Sequence, residues 1–271
     1  MRTNYKIVNE LAAFSPHSAG SLKARGGLTL QSAQQTFPLI CSLIEAMSQS
    51  LIDARPIETL FPSQGNSSGA RELAVLFHQY GSDKSSVHNY HLLYAPLLGP
   101  RRNDPLRLLE IGLGTHHPDV VSTMGASGKP GASLRAFRDF CPNAQVFGAD
   151  IDRRILFEED RIHTYYVDQT CLSSFHELSA NLPDGQFDLV IDDGLHSPNA
   201  NIATMLFALT ILKPSAFFVV EDISSSSMSV WQVIAAILPE SYRPKIIQAK
   251  GALLFMIQKP PDTKSSCCAH S

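Results

Sequence analysis

The sequence has no basic excess, only a slight acidic one, and no long apolar run. It contains 22 Lys and Arg against 25 Asp and Glu, a formal net charge of −3, and only 17% of its residues are charged. General nucleic-acid binders usually carry a basic excess, so we expect no nucleic-acid partner. No stretch reaches the roughly 18 apolar residues of a membrane-spanning helix, so we expect no membrane span. A hydrophobic content of 44% still supplies a sizeable core, which excludes a chain disordered throughout.

The cysteines are few and irregularly spaced. They are Cys41, Cys141, Cys171, Cys267 and Cys268, and no two of them form a CxxC pair. This odd number argues against a disulfide framework or a structural zinc site and favours a reducing compartment. The first 20 residues lack the continuous apolar segment of a secretory signal, so we expect a cytoplasmic protein. The last four residues have the length of a prenylation box, but His270 replaces an aliphatic residue, and we interpret the match as chance.

The first third of the sequence predicts helices and turns. Up to residue 35 the pattern is weakly periodic, and we expect Gly26 and Gly27, like Gly20 before them, to interrupt any long element. Apolar residues spaced by three and four predict an amphipathic helix over 37–54, which could pack on its own domain or on a second subunit of a homo-oligomer. A turn-rich linker over 62–69 and a helix over 70–80 follow. We therefore divide the chain into an N-terminal helical extension with its linker (1–74), a main domain (75–260) and a disordered tail (261–271).

From residue 106 the chain alternates short apolar runs with helical stretches. The predicted elements are strands over 106–111, 145–149, 162–167, 187–191 and 216–220, and helices over 133–140, 173–180, 199–212 and 230–238. This alternation is typical of an α/β fold, a doubly wound and mainly parallel sheet with helices on both faces. Two further runs, 245–249 and 252–257, have only a Lys-Gly turn between them and predict a β-hairpin, which adds an antiparallel strand.

A glycine turn follows the first of these strands. Gly112 and Gly114 let the backbone approach a ligand at the carboxyl edge of the sheet. A dinucleotide site needs a third glycine at position 117, where the chain has His117. Glu110 instead fits the acidic-x-Gly-x-Gly turn of S-adenosylmethionine (SAM) enzymes, because a carboxylate suits the ammonium and sulfonium charges of that ligand. Packing alone also accounts for many glycines at strand ends.

Acidic residues end the next two strands. Asp150 can accept both ribose hydroxyls of a nucleoside cofactor. Asp168 and Gln169 can accept from an adenine amino group and donate to a ring nitrogen. The alternative is that both aspartates are helix N-caps, a position that prefers Asp. Their presence on consecutive strand ends after the glycine turn favours a nucleoside ligand.

The last two parallel strands end in carboxylate pairs. Asp193 and Asp222 follow neighbouring strands, so we expect them at one edge of the sheet, where they could hold a hard divalent cation such as Mg²⁺ or Mn²⁺. The alternative is that they serve as caps or ion-pair partners. His196 follows on the same turn as Asp193 and could remove a proton from a hydroxyl that a metal has acidified, although a lone loop histidine is often a bystander.

Seven segments together resemble the metal-dependent O-methyltransferases that modify macrolide sugars, the mycinamicin and demethylmacrocin O-methyltransferase family, and more distantly the cephalosporin hydroxylase family. They are Gly81-Ser-Asp-Lys-Ser-Ser-Val-His-Asn-Tyr, Leu109-Glu-Ile-Gly-Leu-Gly, Gly131-Ala-Ser-Leu-Arg-Ala-Phe, Gly148-Ala-Asp-Ile-Asp, Asp168-Gln, Ile191-Asp-Asp-Gly-Leu-His and Val220-Glu-Asp-Ile. Their order and spacing carry the resemblance over about residues 75–258. It implies a class I methyltransferase fold and SAM-dependent methyl transfer to a hydroxyl of a sugar or glycosylated natural product.

The resemblance also assigns roles to residues. It implies Asp193 and Asp222 as metal ligands and His196 as the base. The implied SAM site comprises Glu110, Gly112, Gly114, Asp150, Asp168 and Gln169. Lys84, His88 and Tyr90 would close over it. The loop 115–130 is longer than the family leads us to expect, Leu195 replaces a small polar residue and Val167 replaces a glycine, which leaves the small-molecule acceptor open.

Two other functions remain open at this point. An NAD-dependent oxidoreductase is disfavoured by the missing third glycine and by the terminal hairpin. A SAM-binding accessory protein without turnover would retain the same residues, and the sequence does not separate it from an enzyme.

Overall fold

The computed structural model describes residues 2–17, 22–47, 50–62 and 67–262. Much of the linker predicted over 62–69, and the tail predicted over 261–271 apart from its first two residues, lie outside this described part. Contacts divide the chain into two compact units. One comprises the residues up to Asp53 together with Met228–Ile237, and the other comprises Ala54–Ser227 and the chain from Leu238 onward.

Helices make up most of the first unit. In the second unit, helices precede and follow the strands along the chain. In chain order they are α1 (Arg2–Glu10), α2 (Leu22–Ala46), α3 (Ser68–Tyr80), α4 (His91–Leu98), α5 (Ala132–Phe140), α6 (Leu172–Asn181), α7 (Pro198–Ile211) and α8 (Met228–Ile237). The predictions for α3 and for α5 to α8 are confirmed to within two residues at each end. α4 was not predicted.

The longest helix contradicts the expectation drawn from its glycines. α2 runs from Leu22 to Ala46 through Gly26, Gly27 and Pro38, so the helix predicted over 37–54 starts and ends too late. An interior glycine costs only about 1 kcal/mol relative to alanine, which packing can offset. α2 packs against α1 and α8 within the first unit. The Sγ atom of Cys41, for example, lies 3.5 Å from the carbonyl oxygen of Ser229 in α8.

The second unit is built on one mixed sheet. Its strands are β1 (Ala54–Pro56), β2 (Arg107–Ile111), β3 (Gln145–Asp150), β4 (Glu158–Glu159), β5 (Ile162–Tyr166), β6 (Phe187–Asp192), β7 (Leu212–Ile223), β8 (Lys245–Gln248) and β9 (Leu253–Gln258). In the described residues their order is β1-β8-β9-β7-β6-β2-β3-β5-β4. The central strands β7, β6, β2, β3 and β5 are mutually parallel. The predicted doubly wound sheet is confirmed.

The terminal hairpin is also confirmed. β9 pairs antiparallel with both β7 and β8. The short strand β1 was not expected, because its residues lie in the predicted helical extension. It pairs parallel with β8, with Ala54 opposite Ile246. No helix of the described residues is long and apolar enough to cross a membrane.

The strand order positions the site. β3 lies on one side of β2 and β6 lies on the other, so the direction of strand progression reverses between β2 and β6. In open α/β sheets, ligands bind in the crevice beyond the carboxyl ends of the strands at such a reversal. β6 is buried along its whole length, and the first residues after β2 and β6 therefore emerge together at one end of the core.

Candidate active site

Two tight turns meet at the carboxyl ends of β2 and β6. The backbone N–H of Asp193 donates to the carbonyl oxygen of Ile111 over 2.8 Å, which extends the pairing of the two strands by one residue. Gly112 and Gly114 both have positive φ, at +99° and +76°. This is the left-handed region that glycine enters without steric cost, so the predicted glycine turn is formed.

A cavity of about 490 Å³ opens beside this turn. Four of the predicted cofactor residues line it, namely Gly112, Asp150, Asp168 and Gln169, and loop residues 119–122 form part of its wall. The volume lies within the range of about 300–1,000 Å³ usual for small-molecule sites. The ends of β2, β3, β5 and β6 thus contribute to one nucleoside-sized cavity.

Asp150 is held rigidly at the end of β3. The backbone N–H of Leu113 donates to its Oδ2 over 2.7 Å, and that of Asp152 donates to its Oδ1 over 2.8 Å. Burial raises the pKa of this carboxyl, and the backbone N–H donors oppose that rise. Each carboxylate oxygen keeps a second lone pair, so the group can still accept a hydroxyl from a ligand in the cavity.

A second aspartate, Asp152, lies just after β3 and holds the loop 115–130 in place through hydrogen bonds and ion pairs. The Thr115 hydroxyl donates to Asp152 Oδ2 over 2.6 Å, and Arg154 Nε donates to its Oδ1 over 2.6 Å. The Arg154 guanidinium, with the Thr115 hydroxyl, holds the pKa of Asp152 well below its usual range. Arg154 also donates to Asp119 Oδ1 over 3.1 Å, so a chain of ion pairs connects the loop to β3. The sequence pattern gave no indication of these ion pairs.

Gln169 is used differently from the expectation. Its Nε2 donates to Asp192 Oδ1 and to the Thr204 hydroxyl, each over 2.8 Å, and its Oε1 accepts the N–H of Leu195 over 2.8 Å. Both amide hydrogens are therefore engaged within the protein, and none is left for an adenine ring nitrogen. In this structure the Gln169 side chain orients the turn after β6.

Asp168 has a local role alongside its place on the cavity wall. Its Oδ1 accepts the backbone N–H of Thr170 over 2.8 Å and the Thr170 hydroxyl over 2.7 Å. This is the side-chain-to-backbone bonding by which aspartate begins a turn or a helix. Its second carboxylate oxygen has no hydrogen-bond donor among the described residues, so capping and ligand binding are compatible there.

A smaller cavity of about 60 Å³ adjoins the first. Both are lined by Gly112, Ser122 and Asp150. The smaller one is also lined by Lys84, Asp193, His196 and Asp222. The predicted metal and base residues therefore lie beside the predicted cofactor cavity, with the glycine turn between them.

Asp193, His196 and Asp222 converge at this second cavity. One ligand atom from each lies within 4.8 Å of the others, a spacing that a single metal ion could bridge. His196 and Asp222 both have a φ of +54°, which is unfavourable for residues with a β-carbon. Backbone strain of this kind costs about 1–3 kcal/mol and clusters at functional sites. The three donors fit a divalent cation, and the geometry admits His196 as a third ligand as well as a base.

Lys84 lies at the centre of a buried group of charges. Its Nζ lies 2.7 Å from Asp193 Oδ2 and 3.1 Å from Glu110 Oε1, and it also donates to Glu221 Oε2. Burial alone would lower the pKa of Lys84, but the carboxylates of Asp193, Glu221 and Glu110 raise it well above its usual value. The lysine side chain is 2% exposed, so it acts as a permanent internal cation.

Glu110 therefore faces protein partners rather than a cavity. The Ser133 hydroxyl donates to its Oε2 over 2.7 Å, and Lys84 lies against its Oε1. Neither of the two cavities is lined by Glu110. The structure thus differs from the expectation that this carboxylate contacts the ligand directly. Instead, Glu110 connects β2 to the N-terminus of α5 and to the segment that carries Lys84.

The segment that carries Lys84 and the helix α4 that follows it also support the two carboxylates near the end of β7. The Tyr94 hydroxyl donates to Glu221 Oε1, and the Tyr90 hydroxyl donates to Asp222 Oδ1. The His88 ring stacks on Tyr90 with 4.6 Å between centroids, and its Nε2 lies 3.6 Å from Asp222 Oδ1. Lys84, His88 and Tyr90 were expected in the wall over the cofactor site. In the structure they contact the carboxylates of Asp193 and Asp222, and none of the three lines the larger cavity. Sequence reasoning missed Tyr94 and Glu221.

Comparison with solved structures identifies the class of fold. The structure aligns with the MycE methyltransferase of the mycinamycin biosynthetic pathway, solved in complex with Mg and SAH, with a TM-score of 0.55 and 22% identity over 73% of this chain and 57% of that chain. A second crystal form aligns with a TM-score of 0.53 and 20% identity over 95% of this chain and 66% of that chain. The chain has the class I methyltransferase fold.

Sequence comparison narrows the resemblance to sugar O-methyltransferases. The chain is 33% identical over 161 residues to the 8-demethyl-8-alpha-L-rhamnosyl tetracenomycin-C 2'-O-methyltransferase of Streptomyces olivaceus, covering 59% of this chain and 40% of the relative. It is 33% identical over 162 residues to the demethylmacrocin O-methyltransferase of Streptomyces fradiae, covering 59% and 38%. It is 36% identical over 123 residues to the mycinamicin VI 2''-O-methyltransferase of Micromonospora griseorubida, covering 45% and 28%. No family model matches the chain.

These matches confirm the resemblance predicted from the seven sequence segments. In each case the aligned region spans well under half of the relative's length. What the relatives bind and modify is therefore used below only as support for a proposal.

Proposed function

We propose that the protein is a SAM-dependent O-methyltransferase that acts, with a divalent cation, on a hydroxyl of a sugar or glycosylated natural product. One observation carries the proposal. A nucleoside-sized cavity lies where the strand order reverses between β2 and β6. It adjoins a smaller cavity with a cluster of two carboxylates and a histidine, and Gly112, Ser122 and Asp150 line both cavities. Methyl transfer requires the methyl donor and the acceptor hydroxyl to lie side by side, and two adjoining cavities allow that arrangement.

The larger cavity suits the adenosine portion of SAM. Asp150 is fixed by two backbone N–H groups and offers its remaining lone pairs to the ribose hydroxyls. Asp168 lies on the same wall and offers its second carboxylate oxygen to an adenine amino group. Gln169 acts indirectly, because its amide holds the turn that leads to Asp193.

The charge of the inner site suits a cationic ligand. Three buried or half-buried carboxylates, those of Glu110, Asp193 and Glu221, share the single ammonium of Lys84. Burial raises the pKa of Glu110, with Lys84 opposing, because the anionic form is poorly solvated there. The sulfonium and ammonium groups of SAM would add positive charge next to this group and reduce its excess of negative charge.

Asp193 and Asp222 would hold a cation of the Mg²⁺ or Mn²⁺ type, whose chemistry is to acidify and orient a bound hydroxyl. Tyr90 and His88 position the Asp222 carboxylate. His196 would remove the proton of the acceptor hydroxyl as the methyl group is transferred. Holding the acceptor oxygen in line with the methyl group accounts for much of the expected rate enhancement.

The acceptor class follows from the relatives alone. The curated names describe O-methylation of rhamnosyl tetracenomycin, demethylmacrocin and mycinamicin VI. A glycosylated small molecule of antibiotic biosynthesis is therefore the acceptor that we propose for this chain.

Calorimetric titration with SAM, SAH and NAD tests the cofactor. We expect SAM and SAH to bind and NAD to give no heat. Binding of NAD without SAM would replace the proposal by a nicotinamide-dependent oxidoreductase.

Transfer of a radiolabelled methyl group from SAM to a panel of rhamnosides and glycosylated macrolides tests the activity. We expect transfer that stops in EDTA and resumes with Mg²⁺ or Mn²⁺. Asp193→Asn and Asp222→Asn should abolish the recovery by metal. SAM binding with no transfer to any acceptor under either condition would favour an accessory protein without turnover.

A further inference from the structure

A third cavity, of about 460 Å³, lies on the sheet away from the candidate active site. Its lining includes Phe217 of β7, Lys245 of β8 and Met256 of β9. Along β7, Phe217 lies about 16 Å from Asp222, at a rise of about 3.3 Å per residue. It shares no lining residue with the larger or the smaller cavity. The third cavity is therefore separate from the site of the proposed function.

The lining contributed by the segments outside the sheet is mostly apolar. Its hydrophobic residues are Leu60, Phe61, Pro96 and Leu97. Leu60, Phe61 and Leu97 are only partly buried, so they keep apolar surface that the protein itself does not cover. The volume of the cavity lies within the range of about 300–1,000 Å³ usual for small-molecule sites. The cavity is thus suited to the apolar part of a small ligand.

Two cationic side chains complete the lining of this cavity, namely the half-buried Lys245 and the exposed Arg243. The Arg243 Nη1 donates to the neutral amide oxygen of Gln258 over 3.2 Å. Burial lowers the pKa of Lys245, and the positive charges of Arg243 and Arg55 lower it further. Among the described residues, no carboxylate forms an ion pair with any of these three cations. The lining of the cavity therefore carries positive charge that the protein does not neutralise.

This combination favours a ligand that is both apolar and anionic. A bound anion next to Lys245 would offset the unfavourable effects of burial and of the neighbouring positive charges on its ammonium. An apolar chain on the same ligand would remove the surface of Leu60, Phe61 and Leu97 from water. A small hydrophilic anion would leave that surface uncovered, and an uncharged apolar molecule would leave the cations unpaired.

We propose that the third cavity binds an amphipathic carboxylate, a small molecule with one carboxylate group and an apolar chain. Lys245 and Arg243 bind the carboxylate, and the apolar lining contacts the chain. This is a binding site outside the site of methyl transfer, and it does not depend on the proposed function.

Calorimetric titration of the full chain with octanoate, decanoate and decanol, below the concentrations at which they aggregate, tests the two properties of the ligand. We expect decanoate to bind about tenfold more tightly than octanoate, because two more methylene groups are buried. Decanol has the same chain without the charge and should bind at least tenfold more weakly than decanoate. Equal affinities of decanoate and decanol, or no binding of decanoate, overturn the inference.

Substitutions locate the carboxylate. Lys245→Met combined with Arg243→Gln removes both charges and should weaken decanoate binding at least tenfold while leaving the affinity for decanol unchanged. Lys245→Arg keeps the charge and should stay within about threefold of the wild type. Lys250→Met is the matched control, because Lys250 lies in the turn after β8 and lines none of the three cavities. An equal loss of decanoate affinity in Lys250→Met would show non-specific binding and overturn the inference.

A titration of decanoate into protein saturated with SAH tests whether the two sites are separate. We expect the same decanoate affinity with and without SAH. Loss of decanoate binding in SAH would place decanoate in the larger cavity and overturn the inference. Decanoate binding without any SAH binding would instead overturn the proposed function alone. The comparison of decanoate with decanol on the wild type decides even if circular dichroism shows that a variant does not fold.

Discussion

Gly112 lies so close to Asp193 that a β-carbon built on the glycine would be 2.1 Å from the Asp193 carbonyl oxygen. The glycine turn after β2 is thus the surface on which the turn carrying Asp193 and His196 rests. Gly112, which the sequence predicts as a cofactor-site residue, is in the structure equally a requirement for the position of the turn that carries Asp193 and His196.

Gly112→Ala should displace the Asp193 turn. The new methyl group meets backbone atoms, which cannot rotate away, and the residue has a φ of +99°. We expect a loss of about 2–4 kcal/mol in the free energy of unfolding, measured with urea, and loss of Mn²⁺ binding. Gly114→Ala is the matched control, because its β-carbon would meet only the Met124 side chain at 3.2 Å. It should cost about 1 kcal/mol and keep Mn²⁺ binding. Equal effects of the two substitutions would contradict this account.

Asp150→Ala should weaken SAM binding by about 1–3 kcal/mol, since it removes an acceptor for the ribose and leaves two buried N–H groups unpaired. Calorimetry gives the affinity, and circular dichroism checks the fold. Asp150→Asn keeps the size of the side chain, and we expect it to bind SAM with intermediate affinity. Unchanged affinity in a folded Asp150→Ala protein would transfer the ribose role to Asp152, which lines the same cavity.

His196→Ala should lower kcat by roughly 10²–10⁴-fold, the usual effect of losing a general base. SAM affinity should hardly change, because His196 does not line the larger cavity that we propose for adenosine. Mn²⁺ titration of the same variant separates the two roles that the geometry allows. Unchanged Mn²⁺ affinity supports a base, and a large drop identifies His196 as the third ligand. Near-normal turnover would move the search for the base to His116 and His117 on the loop after the glycine turn.

Asp119→Asn should loosen the loop 115–130. It removes the charge that Arg154 binds on the loop while leaving the bond between Arg154 and Asp152 in place. Because both Asp119 and Arg154 are largely exposed, we expect little change in melting temperature. SAM affinity should fall several-fold, because residues 119–122 form a wall of the larger cavity. Added salt should weaken SAM binding more in the wild type than in Asp119→Asn, and the same salt dependence in both proteins would argue against an ionic tether.

The strands of the sheet, and the helices between them in sequence, follow from the local pattern of apolar and turn residues. The strand predicted over 106–111 is β2 (Arg107–Ile111), and the hairpin predicted over 245–257 is β8 and β9. Apolar runs of five or six residues bounded by turn residues identify buried strands. The signal for such a strand lies entirely in its own residues and in the turns beside it, so it can be read locally. The three-residue strand β1 and the limits of α2 were not predictable in this way, because the pairing of β1 with β8 and the packing of α2 on α1 and α8 involve distant residues.

By itself the sequence determined which chemistry collects at one edge of the sheet. Parallel strands bring their carboxyl ends together, so the residues at or just after the ends of β2, β3, β6 and β7 had to lie near one another; they include Gly112, Asp150, Asp193 and Asp222. Only the tertiary structure decided how those residues are used. Lys84 lies in a polar segment between two helices, and nothing in its neighbourhood along the chain shows that its ammonium reaches Glu110, Asp193 and Glu221. A buried charge is stable only where opposite charges surround it, and the folding of distant segments against the sheet decides where that is.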